Sequence, residues 1–147
     1  MAARLLVTVI AAWLAAGCTD IRDYSGTWHG ARVGDAAPLR VGFAPDAEAT
    51  LDVEQVDLRW LRARLTIDGD ALDDALIQPN LGAEADVLSD VTFSGAPVRV
   101  YFAFAPAADG NGDPLVVVAL YDDDRIEIRV MRGGPAPLYG IFALRRA

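Results

Sequence analysis

The sequence predicts an all-β domain: a single antiparallel up-and-down β barrel of eight to ten strands, with a two-sheet β sandwich as the alternative. Three observations predict it. Helix signals are poor, with Lys absent and Glu rare, while Asp, Gly, Pro and Val are frequent. Several segments alternate apolar and polar residues with the two-residue period of a strand. Short turn clusters separate them, too short for anything but antiparallel neighbours. A meander this long must curl and close, or split into two packed sheets.

The first strand carries Tyr24-Ser25-Gly26-Thr27-Trp28-His29-Gly30. Leu39, Val41 and Phe43 alternate with Arg40 and Gly42 and predict a second strand. Thr50 to Gln55 is expected to hairpin with 59–67, where Leu61, Ala63, Leu65 and Ile67 share one face. Asp52 and Glu54 then lie opposite Arg62 and Arg64, cross-strand pairs that contribute about 0.2–1 kcal/mol each and fix the register. Ala71 to Gln78 reads as a short strand or one helical turn. Pro79 to Asp90 reads as a loop with a short helix, and Val91-Thr92-Phe93 as a short strand.

From residue 97 onward four strands are expected, at 98–105, 115–121, 125–131 and 138–145. In the first, Val98, Val100, Phe102 and Phe104 are expected to point inward. In the third, Ile126, Ile128 and Val130 point inward and Arg125, Glu127 and Arg129 outward. The second and fourth are apolar on both sides, as strands covered on both faces are. On an anchored protein such an outward apolar stripe can also meet a membrane or a partner. Ser94-Gly95-Ala96-Pro97, Ala108 to Pro114, Asp122-Asp123-Asp124 and Gly133-Gly134-Pro135 supply the turns.

The N-terminus carries an address. Arg4 is followed by an apolar run from Leu5 to Ala16 and then by Gly17-Cys18. The run is about a dozen residues, short of the roughly 20 that span a bilayer and the right length for a cleaved leader. Leu14-Ala15-Ala16-Gly17-Cys18 resembles the lipobox of bacterial lipoproteins, although Ala15 stands where Leu is usual. The resemblance implies a signal peptide over 1–17, an acylated Cys18, a tether over 18–23 and a β-barrel domain over 24–147. Several acyl chains anchor stably where one does not. Thr19 follows the cysteine, with Asp20 one place late for inner-membrane retention. The resemblance therefore favours the outer membrane, facing the periplasm or the surface.

Cys18 is the single cysteine, so no disulfide forms within the chain and the domain must hold itself together by its core. The 130 residues from Cys18 to Ala147 suffice for one. Acidic residues outnumber basic ones 21 to 13, which argues against nucleic acid as a partner.

Gly26-Thr27-Trp28 on the first strand and an Arg on the last resemble the two ends of the lipocalin and calycin pattern. There the Arg packs over the Trp at the closed end of the barrel. The resemblance makes Gly26, Trp28 and Arg145 the closure residues, with Arg146 as the alternative to Arg145. It implies an up-and-down barrel with an apolar interior and names no ligand.

Catalytic chemistry finds little support. His29 is the single histidine, and Ser25 lies about 13 Å from it along a strand. A nucleophilic serine would have to be Ser89 or Ser94, brought round by the fold. Paired carboxylates remain conceivable, yet most Asp residues fall in turns that explain them. Asp109, Asn111 and Asp113 repeat the first half of a calcium loop, but Pro114 stands in place of Gly and Leu120 in place of the bidentate Glu. A polar hairpin loop is the simpler reading. No cofactor is implied.

Two functions are expected. One is a membrane-anchored binding protein, holding a small apolar or amphipathic ligand among Phe43, Leu61, Val100, Phe102, Ile126 and Ile128. The other is a structural or interaction lipoprotein of the envelope, with a solid core and a protein partner. The mostly bulky inward rows temper the first.

Overall fold

The computed structural model describes residues 23–33, 42–57, 60–67, 75–77, 93–106 and 110–147, of which 75–77 by backbone alone. Eight strands run in chain order: β1 Gly26–Arg32, β2 Glu48–Val56, β3 Leu61–Ile67, β4 Ala75–Ile77, β5 Arg99–Phe104, β6 Leu115–Tyr121, β7 Arg125–Arg132 and β8 Leu138–Arg146. They form one sheet, ordered β4-β3-β2-β1-β8-β7-β6-β5, with every pairing antiparallel. Except for β4 and β5, each strand lies beside the next in sequence, and β1 pairs with β8. This is an up-and-down barrel, lipocalin-like in its topology, and its continuous sheet excludes the two-sheet sandwich. Among the described residues, β4 and β5 are the two ends of the sheet.

The four C-terminal strands fall where alternation and turn chemistry place them. The Asp122–Asp124 turn closes β6 onto β7, with Asp124 in the left-handed region at φ 55°. The β2–β3 hairpin also forms, with Asp52 opposite Arg64. An irregularity between Val53 and Gln55 shifts the register. Arg62 therefore sits opposite Gln55, yet still reaches the Glu54 carboxylate at 2.9 Å. The pair is half-exposed and contributes well under about 1 kcal/mol. Asp52 Oδ1 accepts a hydrogen bond from Thr27 Oγ1 at 2.6 Å, which ties β2 to β1.

The segment ending at Phe43 does not extend as the strand expected there: Gly42 and Phe43 form a bend, while Leu39 and Val41 lie outside the described residues. Of 71–78, Ala75–Ile77 is strand. Phe93 is not in a strand, and 79–92 lie outside the described residues.

The β1–β8 seam depends on Gly30. A Cβ there would run into the Ala143 carbonyl and the Leu144 backbone across the seam. The neighbour is main chain and cannot turn aside. Gly30→Val is expected to open this seam. The loss should be visible as faster amide exchange in both β1 and β8, measured residue by residue.

Side chains pack inward from every strand whose side chains are described. Trp28 of β1, Leu51 of β2, Leu61, Leu65 and Ile67 of β3, Leu120 of β6, Ile126 and Ile128 of β7 and Phe142 of β8 are fully buried. β5 corrects the sequence reading. Its inward residues are Tyr101 and Ala103, paired with the core residues Val118 and Val116 of β6. Val98, Val100, Phe102 and Phe104 face outward, with Val98 and Phe104 well exposed. The two faces of β5 are both apolar, so alternation could not choose between them. Arg99 suggested the wrong face because it stands at the strand's end, where a long side chain can leave the barrel.

Candidate functional site

One end of the barrel is sealed around Trp28. Its indole Nε1 donates to the Tyr24 carbonyl at 2.9 Å, and the Tyr24 ring stacks on it at 6.1 Å. The Tyr24 hydroxyl donates in turn to the Tyr121 carbonyl at the end of β6, at 2.8 Å. Arg146 lies over the indole with its guanidinium carbon 4.6 Å from the ring centre. Its Nη1 donates to the Ser25 carbonyl at 2.7 Å, and its Nη2 to the Asp23 carbonyl.

Arg145 does not take this place. Trp28 is the register partner of Arg146, whereas Arg145 is paired with His29 on the outer face. There Arg145 donates to the Asp123 carbonyl at 2.7 Å. Gly26 completes the seal: at φ 112° it holds a conformation L side chains rarely adopt, and a Cβ there would stand 3.3 Å from Arg146 Nη1.

Of the six lining residues expected from sequence, Leu61, Ile126 and Ile128 lie in the core. Phe43 reaches it from outside the strands, its ring set edge-on to Phe142 at 5.5 Å. Arg32 Nη1 holds this segment by donating to the Phe43 and Ala44 carbonyls, each at 3.1 Å. Phe43 thus plugs the end opposite Trp28. Val100 and Phe102 are not part of the interior.

Tyr101 is the inward residue that the sequence reading missed. Its hydroxyl donates to the Asp57 carbonyl in the β2–β3 hairpin, tying β5 to the strands at the other end of the sheet. Burial pushes its pKa up to about 12, against the opposing pull of Arg99. Tyr101→Phe is expected to cost about 0.5–1.5 kcal/mol in urea unfolding through the lost hydrogen bond. In the parent protein, ultraviolet titration should show one tyrosine ionising well above the ordinary value of about 10.

A second polar cluster occupies the outer face of β6 and β7. Glu127 is only 2 % exposed. Its Oε1 accepts from Arg129 Nε at 2.7 Å, and its Oε2 from the hydroxyls of Ser94 and, at 3.3 Å, Tyr121. The Arg125 guanidinium stacks on the Tyr121 ring at 3.7 Å, and Arg129 lies 5.0 Å from the Phe93 ring. Phe93 and Ser94 therefore cross over the outside of the sheet. Burial pushes the Glu127 carboxyl up, but the hydrogen bonds from Ser94 and Arg129 and the Arg129 charge outweigh it. The group is held below its ordinary pKa. A carboxylate ionised this firmly is a poor proton donor or acceptor near neutrality.

The other features test sparse chemistry. His29 is exposed, with Nδ1 2.9 Å from Thr50 Oγ1. Ser94 is engaged by Glu127 and Arg125 rather than by an imidazole. Asn111 and Asp113 are exposed in the β5–β6 connection, while Asp109, like Cys18 and Ser89, lies outside the described residues. Among the described residues no three His, Cys, Asp or Glu gather as a metal site would require.

An open groove of about 430 Å³ runs along the β7–β8 hairpin and the start of β6, at the Phe43 end. Leu115, Met131, Pro137, Leu138 and Tyr139 line it, with Arg132 at its rim. Set against family models, curated proteins and solved structures, the chain has no match.

Proposed function

We propose that the protein is an exported lipoprotein, held at the outer membrane by acylated Cys18, whose barrel is a solid scaffold presenting its outer surface to the cell envelope. One observation carries the preference for a scaffold over a carrier. Trp28 with Arg146 at one end and Phe43 at the other plug a barrel whose core holds the fully buried Leu51, Leu61, Leu65, Tyr101, Leu120 and Phe142. A carrier of this size encloses an apolar space of roughly 300 Å³ or more. Here the buried side chains of β1, β2, β3, β5, β6, β7 and β8 belong to one hydrophobic cluster.

Two measurements test the reading. Native mass spectrometry of the protein extracted from its own host should give the mass of the acylated chain alone. A retained small molecule would return the barrel to the carrier class. Cys18→Ser should move the protein from the membrane fraction to the soluble one. Persistence in the membrane fraction would refute the acyl anchor.

A further inference from the structure

We infer that Asn111, in the connection between β5 and β6, is a site of spontaneous covalent modification, where the side-chain amide is lost and aspartate and isoaspartate replace it. The inference is independent of the acyl anchor. The stretch from Asp109 to Pro114 fails as a calcium loop, yet the Asn-Gly pair within it has a chemistry of its own. Asparagine is among the thermally labile residues. The chain has two, Asn80 followed by Leu81 and Asn111 followed by Gly112. The attacking group is the main-chain nitrogen of the following residue. Glycine alone has no Cβ to crowd that approach or to restrict the turn of the chain.

The structure keeps the approach open. Asn111 and Gly112 lie outside the strands, and both are exposed. Gly112 holds φ 95°, and a Cβ there would meet nothing within 4 Å. Its amide donates no hydrogen bond among the described residues. Its carbonyl accepts from Arg132 Nη1 at 3.1 Å, which places a guanidinium beside the pair. A neighbouring cation favours the anionic form, both of the attacking nitrogen and of the carboxylate that results.

The Gly112 nitrogen gives its proton to solvent base and bonds to Asn111 Cγ. The Cγ–Nδ2 bond breaks, and Nδ2 takes a proton from water and leaves as ammonia. Water then opens the cyclic imide. Opening at Cγ gives aspartate, and opening at the main-chain carbonyl carbon gives isoaspartate. No electron is transferred, and the net change exchanges an amide for a carboxylate. Isoaspartate also routes the main chain through Cβ and Cγ. The strands tolerate either product, because their pairing ends at Phe104 and Leu115, and the Ala105 amide donates to the Pro114 carbonyl just beyond. The barrel therefore keeps its fold while its Phe43 end gains a negative charge beside Arg132.

The test holds the purified full chain for weeks at about pH 8.5 and, in parallel, at about pH 6, where proton removal from the amide is slower. Peptide mapping by mass spectrometry should show a gain of about 1 Da at residue 111, faster at the higher pH. The same chain unfolded in urea is the reference for an unrestrained loop. Gly112→Ala should slow the gain at least about tenfold, and Asn111→Gln should abolish it. No gain in the folded protein over the time that converts the unfolded chain would show that the turn is held against reaction, and overturns the inference. So does a gain at residue 80 in place of 111, or an equal rate in the parent and Gly112→Ala.

Discussion

Trp28→Ala is expected to cost about 3–5 kcal/mol of unfolding free energy, the largest loss from any single truncation in the barrel. The indole is fully buried, stacked on Tyr24 and hydrogen-bonded to the Tyr24 carbonyl. Its removal leaves a cavity under Arg146 and takes the indole donor from that carbonyl. The two neighbouring arginines make the control. Arg146→Ala loses a contact over the indole worth about 0.5–2 kcal/mol, along with the hydrogen bonds to the Ser25 and Asp23 carbonyls. Arg145→Ala, on an exposed side chain, should stay within about 0.5 kcal/mol of the parent. Urea midpoints for the three variants decide the matter, and a larger loss for Arg145→Ala than for Arg146→Ala would sink the assignment.

Glu127→Gln is the second large effect. It removes the carboxylate charge that Arg129 Nε meets at 2.7 Å on the covered outer wall of β7, where the guanidinium is largely out of water. Breaking one side of such a buried pair costs about 3–5 kcal/mol. The same group predicts an acid limb. Its folded pKa lies below the unfolded value, so the stability it contributes is fully present above the unfolded glutamate pKa. It is lost as pH falls through the folded pKa. The parent should therefore weaken as pH is lowered past about 4, and Glu127→Gln should show a shallower decline over the same window. Parallel acid limbs in chemical denaturation of the two proteins would show that other carboxylates govern it.

Much of the fold is legible in the sequence, for reasons that differ along the chain. β7 alternates Ile126, Ile128 and Val130 with charged residues, and a two-residue period with so sharp a contrast fixes both strand and facing. β6 and β8 lack that contrast, but the turns that flank them bound them. β5 has neither signal. Val100 and Phe102 are as apolar as Tyr101 and Ala103, and the facing is decided by pairing with Val116 and Val118, which only the assembled sheet supplies. Phe43 illustrates another limit: three alternating residues suggest a strand, whereas the chain bends there and uses the phenylalanine as a plug.

The closure site was legible as a pair of chain ends and uncertain by one residue. Arg145 and Arg146 are adjacent, and a single-residue shift in β8 moves a side chain from the outer wall to the barrel's end. The cluster that Ser94 forms with the buried Tyr121, Glu127 and Arg129 left no local signal. Glu127 and Arg129 read as solvated outward residues of a strand, and nothing in their neighbourhood announces that Phe93 and Ser94, more than thirty positions earlier, come to lie over them.

The pairing of β1 with β8 also sets a timetable. The first ribbon's permanent neighbour lies more than a hundred positions further along the chain, so the cylinder cannot be sealed until that stretch has emerged. Such distant pairing carries a large loop-closure cost before it returns any contact, and it slows folding accordingly. Under the proposed export this delay is useful: it lengthens the interval during which the polypeptide is still loose enough to be threaded through a translocation pore.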